Sequence, residues 1–420
     1  MSKPLVIFVP GLYSSTLKSD ASCFQPDSFD IPSSLLKSVL LGNRGHANLT
    51  LPITWSPDEN GVFKQDQDDI YADGPMKAAQ PKFFQRLELL AENDHIDLHY
   101  VPWDWRRSFE EAEEVISSKI LSICKDDDRK AILITHSTGA MLTWPTINAH
   151  PELFTTWINA AGCLLLASNL FAKEYFEGWP VPGAEFINIL GKKAFFTFTG
   201  PYAYFPIKGE VWGGDGVGDL ITTEGKIIGN YAGGNNDGID LHDIETWKEY
   251  KMGIYGWKGE LGQEVTPEEE LHLKHSLEVG KRFREKFLFR NGREYTPSAL
   301  QKPLSSYFHI KIICYGNDQF DTHSAYEIDM ESKKIDVSES KVKAKGDGTL
   351  YTKNWSKVPG GLDVEVVLSD PTSGHVPLLD DDNLHKIMVD NFFPDDDVRK
   401  AEALSLLELE VTEADENQSE

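Results

Sequence analysis

Residues 131–142, AILITHSTGAML, decide how the rest of this chain is read. Ala131 to Thr135 form a short apolar, β-branched run of the kind that becomes a strand buried on both faces. It passes without a spacer into His136-Ser137-Thr138-Gly139, and a helix is expected to follow. A strand, an abrupt turn carrying serine and then a helix lift a hydroxyl out of a parallel sheet on a strained backbone, the arrangement of a nucleophile elbow. Gly139 lets the helix approach the strand closely, and the helix N-terminus aims N–H groups at an oxyanion formed beside Ser137. The pattern departs from G-x-S-x-G in one place: Thr135 stands where glycine is usual.

Working outward, residues 5–9, LVIFV, predict a second buried strand, ended sharply by Pro10-Gly11-Leu12. Gly11 lets the backbone come near a substrate carbonyl, and the Leu12 N–H is the candidate second oxyanion donor beside that of Thr138. Residues 14–81 are rich in Ser, Asp, Asn, Gly and Pro and read as a lid-like loop, with one short apolar helix at 32–41. Residues 83–92 and 109–125 carry helical periodicity, and 95–101 and 157–167 read as strands, so the order alternates β and α as in a parallel sheet. PWDWR at 102–106 reads as a brace rather than a pocket lining, because aromatics interleaved with an Asp–Arg pair hold loops.

Residues 168–306 interrupt this rhythm and read as an inserted cap rich in aromatics. The core resumes over 307–407. A strand at 308–315 is followed by a polar hairpin made of 326–336 and 338–345, a last strand at 363–369 and a helix at 383–392. The acidic tail 408–420 is expected to be disordered. His375 arrives after the last strand, completing the chain order Ser, Asp, His. On the residues alone, the acid is either Asp318 or Asp321, just after the strand at 308–315, or Asp347, on a tight turn between two glycines.

The composition of the 420 residues, 40% hydrophobic and 26% charged, is that of a globular protein. A formal charge of −26 opposes attraction to nucleic acid. The first residues carry no charged n-region or long apolar stretch, and no segment reads as a bilayer span, so a cytoplasmic location is expected. Four widely spaced cysteines fit a reducing compartment. The Asp, Asn and Gly residues of 213–236 fit neither a phosphate loop nor an EF-hand.

Taken in order, FVPGLYSS, PWDWR, THSTG, GDGT and SGH resemble the family of lecithin:cholesterol acyltransferase, lysosomal phospholipase A2 and phospholipid:diacylglycerol acyltransferase. TGPYAYFP is similar to that family's cap segment. The resemblance implies an α/β-hydrolase fold, a mainly parallel sheet with helices on both faces, an N-terminal lid loop and an inserted cap. It implies Ser137 as nucleophile, Asp347 as acid, His375 as base, and oxyanion donors on Leu12 and Thr138. The acyl donor would be a phospholipid or other acyl ester met at a lipid surface, the acceptor water or an alcohol, with no metal or cofactor. A carboxylesterase for smaller soluble esters and a non-catalytic lipid-binding protein are the alternative readings.

Overall fold

The computed structural model of the protein describes residues 2–19, 22–24, 49–125, 128–164, 191–205, 207, 220–222, 227–229, 240–260, 262–288, 300–323, 326–329, 331, 333–336 and 343–417. The apolar helix expected at 32–41 lies outside them. At the centre are six strands: β1 (Leu5–Val9), β2 (Asp97–Tyr100), β3 (Ala131–His136), β4 (Phe154–Ala160), β5 (Lys311–Gly316) and β6 (Glu365–Leu368). They form one sheet in the order β6-β5-β4-β3-β1-β2, and every pairing is parallel.

Alternation along these strands divides the core in two, because successive side chains point to opposite faces. Leu5, Ile7, Val9, Ala131 and Leu133 face helices α2 (Phe109–Lys125) and α3 (Thr138–Ala149) and the cap aromatics. Val6, Phe8, Ile132 and Ile134 face α1 (Pro81–Glu92) and two C-terminal helices, α5 (Asp382–Phe392) and α6 (Asp397–Asn417). Helix α3 is apolar nearly all round, as its burial on all sides requires, whereas α1 and α2 keep a polar stripe for water.

The chain leaves β1 for β2 on one side and returns to β3 on the other. That reversal creates a switch point, and the crevice outside the carboxyl ends of β1 and β3 is where open parallel sheets bind ligands. Pro10-Gly11-Leu12 and His136-Ser137-Thr138 both emerge there.

Three segments differ from the sequence reading. The lid-like stretch is not without regular structure: Ser15–Ser19 pairs with Ser22–Phe24 and Tyr71–Pro75, and Trp55–Pro57 with Phe63–Gln65. These strands are too short and too polar to show a period-2 pattern. The polar hairpin is re-partnered. Tyr326–Asp329 pairs with Lys334–Asp336, but Lys343–Gly346 pairs with Phe320–His323, a strand that carries no apolar alternation. Helix α6 runs on to Asn417, into the tail expected to lack structure, from a stretch in which Ala403 and Leu407, one turn apart, are buried against the core.

The cap aromatics Phe195, Phe196, Phe198, Tyr202, Tyr204 and Phe205 are buried; Trp179 and Trp212 lie outside the described residues. Cys124, Cys163 and Cys314 are buried. No helix among the described residues is long and apolar enough to cross a membrane. Helix α4 (Pro267–Phe283) opens on a capping box between Thr266 and Glu269, the best-defined start in the cap.

Candidate active site

Ser137 stands between β3 and α3 with φ 51° and ψ −124°, a conformation that L residues rarely adopt. Such strain persists only where the surroundings over-determine it. Here the constraint is contact with the β1 turn. A Cβ on Gly139 would lie 2.6 Å from the Val9 carbonyl oxygen and 2.7 Å from that of Pro10. A Cβ on Gly11 would lie 2.9 Å from Ser137 Cβ. Both glycines are therefore required by close approach, Gly139 to the β1 backbone and Gly11 to the Ser137 side chain. Thr135, in the usual glycine's place, is fully buried in β3, and its Oγ1 accepts a 2.9 Å hydrogen bond from Trp157 Nε1. The tight contacts fall on Gly11 and Gly139 instead.

His375 comes from the loop between β6 and α5. Its Nε2 lies 3.0 Å from Ser137 Oγ, and its Nδ1 lies 2.7 Å from Asp347 Oδ2. The serine hydroxyl donates to Nε2 when the ring is neutral, and Nδ1–H donates to the carboxylate. The other oxygen of Asp347 accepts from the backbone N–H groups of Thr349 (2.9 Å) and Leu350 (2.6 Å), so the turn GDGT aims Oδ2 at the histidine. The His375 N–H also donates to the Asp347 carbonyl at 3.1 Å, tying the two loops by their backbones. All three residues are buried.

The other candidate acids lie elsewhere. Asp321 pairs with Lys345 at 3.0 Å on the surface, both side chains 65% exposed. Asp318 accepts from its neighbour Gln319. Asn317, just after β5, is committed to Ser369 and Asp370, which leaves the β5 loop turned toward β6 rather than toward His375.

Leu12 follows Gly11, whose backbone passes against Ser137, and Thr138 opens α3 immediately after the serine. The Thr138 hydroxyl also meets the Tyr204 hydroxyl, which comes from TGPYAYFP in the cap.

Two features of the site had no sequence signal strong enough to find. His136 lies beside His375, ring centroids 5.2 Å apart, and its Nε2–H donates to the His375 carbonyl at 3.2 Å. Burial, reinforced by the charge His375 can carry, pushes the His136 pKa down to about 3, so the ring stays neutral. The second feature is the extent of the PWDWR brace. Trp103 and Trp105 are fully buried, and both donate to the chain around the β1 turn: Trp103 Nε1 to the Pro10 carbonyl at 2.8 Å, Trp105 Nε1 to the Ser15 carbonyl at 3.0 Å. Arg106, also fully buried, closes the brace through Asp104 at 2.6 Å and Asp68 at 2.7 Å. The sign of that network is consistent: the arginines hold the Asp68 carboxyl below its usual pKa despite its desolvation.

No family model matches the chain, and no curated protein matches it. Solved structures do. One is the Tle4–Tli4 complex, at 11% identity and TM-score 0.47, with 98% of this chain and 99% of that one covered. Another is the mature lipase BlEst2 of Bacillus licheniformis, at 11% identity and TM-score 0.34, covering 93% and 92%. A third is the 2-hydroxy-6-oxo-6-phenylhexa-2,4-dienoate hydrolase of Rhodococcus sp. strain RHA1, at 10% identity and TM-score 0.34, covering 93% and 91%. These likenesses concern architecture. The parallel sheet, its switch point and the strained elbow at Ser137 identify the fold: the chain has the α/β-hydrolase fold.

Proposed function

We propose that the protein is a serine-dependent acyl-ester hydrolase or acyltransferase acting on lipid esters, of the lecithin:cholesterol acyltransferase and phospholipase A type. Ser137 is its nucleophile, His375 its base and Asp347 its acid. The observation that carries this reading is the continuous hydrogen-bond chain Ser137 Oγ–His375–Asp347, with the serine held on a strained elbow. An unstrained surface serine would supply a hydroxyl without the geometry to activate it.

In this mechanism neutral His375 takes the Ser137 proton at Nε2 as Oγ attacks the ester carbonyl, while Asp347 fixes the tautomer and stabilises the imidazolium. The carbonyl oxygen becomes an oxyanion facing the N–H groups of Leu12 and Thr138, each such donor contributing about 3 kcal/mol to the transition state. Collapse breaks the ester C–O bond, and His375 returns its proton to the departing alkoxide. The acyl group is left on Ser137. Water, or an acceptor alcohol, then gives its proton to His375, attacks the acyl carbonyl and frees the serine. Every proton is handled by His375, so the cycle needs no metal or cofactor.

The lipid part of the reading rests on the ordered markers FVPGLYSS, PWDWR, THSTG, GDGT and SGH and on the cap segment TGPYAYFP, whose Tyr204 hydroxyl meets the elbow at Thr138. Its test is turnover of phosphatidylcholine vesicles, with and without a long-chain alcohol, beside 4-nitrophenyl esters of rising chain length, by wild type and Ser137→Ala. Ser137-dependent release of fatty acid or formation of a new ester supports the reading. Activity confined to short soluble esters contradicts the lipid assignment and leaves a carboxylesterase.

A further inference from the structure

We infer that Trp103 is a positioning residue for the oxyanion turn, setting the direction of the Leu12 N–H through its grip on the Pro10 carbonyl. This rests on the serine-hydrolase reading above and extends it to a residue that touches neither substrate nor the triad.

The turn from Pro10 to Ser14 has little of its own to fix it. Among its internal bonds is one from the Ser14 N–H to the Gly11 carbonyl at 3.2 Å, and Tyr13 sits at φ 60°, in the left-handed region that favours glycine. A turn with a strained residue keeps its shape only if partners outside it over-determine that shape. Several of those partners come from PWDWR, beside the Met76 N–H, which donates to the Ser14 carbonyl at 2.8 Å. The indole N–H of Trp103 donates to Pro10 O at 2.8 Å, its backbone N–H donates to Ser15 Oγ at 3.2 Å, and Trp105 Nε1 donates to Ser15 O at 3.0 Å. The Trp105 ring also meets the Tyr13 ring edge-on, centroids 5.0 Å apart. The strained segment is thus held at both ends and against its middle.

Of these contacts, the one on Pro10 has the shortest path to the chemistry. Pro10 O belongs to the peptide that leads into Gly11, and Gly11 in turn abuts Ser137. The same oxygen lies where a Cβ on Gly139 would come within 2.7 Å, so it is confined between the indole and the first turn of α3. Rotation of that peptide is blocked on one side by steric contact and on the other by the Trp103 hydrogen bond. Removing the indole N–H leaves the steric wall but frees the other direction, and the next N–H along, that of Leu12, loses its fixed aim. Oxyanion donors stabilise the transition state only when they are already oriented, since reorienting them during the reaction costs the energy they would supply.

The inference makes a specific kinetic demand. Trp103→Phe, which keeps an aromatic ring and deletes the donor, is expected to lower kcat for 4-nitrophenyl octanoate about 10-fold to 100-fold with KM within about twofold. The affinity for an octyl trifluoromethyl ketone, which binds as a tetrahedral adduct, should fall by the same factor as kcat/KM. A merely structural tryptophan would lower the folded fraction without moving that correlation. Ser15→Ala, which releases the Trp103 backbone N–H and leaves the ring untouched, is expected to move the same quantities in the same direction by less, and it decides the question if Trp103→Phe does not fold. Folded variants with kcat and ketone affinity at wild-type values would overturn the positioning role, while a folded wild type that no fluorophosphonate labels would overturn the serine reading and the inference with it.

Discussion

The elbow and the stretch from 316 to 375 supply the two halves of the same site by opposite means. Within residues 131–142, strand, proposed nucleophile and helix are contiguous, and the geometry follows from adjacent residues: a buried strand, a serine forced to φ 51°, and Gly139 where no Cβ fits. The proposed acid and base come from separate loops, and each is placed by contacts made far along the chain. Asp347 reaches the site only because Lys343–Gly346 pairs with Phe320–His323 and because its Oδ1 is occupied by two backbone N–H groups. His375 is fixed by bonds to Asp347 and by the donor on His136. A nucleophile can thus be built into a local motif, whereas its partners are only as well aimed as the tertiary structure that delivers them.

The largest effects should come from breaking either half outright. Ser137→Ala is expected to reduce kcat by on the order of 10⁶-fold with the fold intact, read by ester turnover and circular dichroism. On the distal side, Asp347→Asn keeps the shape and removes the charge that holds the tautomer. Its kcat should fall about 10⁴-fold, whereas Asp318→Asn should stay within about twofold. An equal loss from both aspartates would mean that the 316–375 stretch delivers its acid differently from the geometry described here.

Smaller effects separate how each half is held. Gly139→Ala presses a methyl onto the Val9 and Pro10 carbonyl oxygens and should cost about 3 kcal/mol, measured by urea unfolding, since neither backbone can retreat. Two buried neutral histidines, one in the elbow and one in the helix that follows the 316–375 stretch, share a pH dependence. His136 is depressed to about 3 by burial, and His385, in α5 just past the base, to about 4 by burial and the nearby Arg86. Each binds fewer protons folded than unfolded, so stability falls as pH drops from the unfolded value of 6.5 toward those folded values. The slope approaches about 1.4 kcal/mol per pH unit for each group inside that window. His385→Gln, whose amide can accept from Arg86 and donate to the Leu379 carbonyl as the ring does, should flatten the dependence of the urea midpoint between pH 6.5 and 4. The smallest expected change tests strain: Ser137→Gly should raise stability by about 1 kcal/mol while abolishing turnover, because glycine accepts φ 51° without cost.

This contrast also explains what could be read from the sequence. The runs LVIFV and AILIT became β1 and β3, because strands buried on both faces must be continuously apolar. The helix expected at 83–92, which spans Pro81–Glu92, and the helix at 109–125 were legible from their apolar stripes. PWDWR was legible as a brace from its tryptophans interleaved with an Asp–Arg pair, and Asp104 does pair with Arg106. The pairing of Lys343–Gly346 with Phe320–His323 was not, because a four-residue polar strand carries no pattern that names its partner. For the same reason the residues alone left Asp318, Asp321 and Asp347 in competition: choosing among them requires knowing which loop is turned toward His375. His136 had no separate signature either, as any residue can precede an elbow serine, and its bond to the His375 carbonyl spans most of the chain.

Ser137, His375 and Asp347 are proposed to act as one unit, and labelling with a long-chain fluorophosphonate followed by intact mass is the test. Wild type, Ser137→Ala, Asp347→Asn and Asp318→Asn would be compared as full chains. A single adduct is expected on wild type, none on Ser137→Ala, slowed labelling of Asp347→Asn and wild-type rates for Asp318→Asn. A folded wild type that takes up no label, or an adduct that persists in Ser137→Ala, would contradict it.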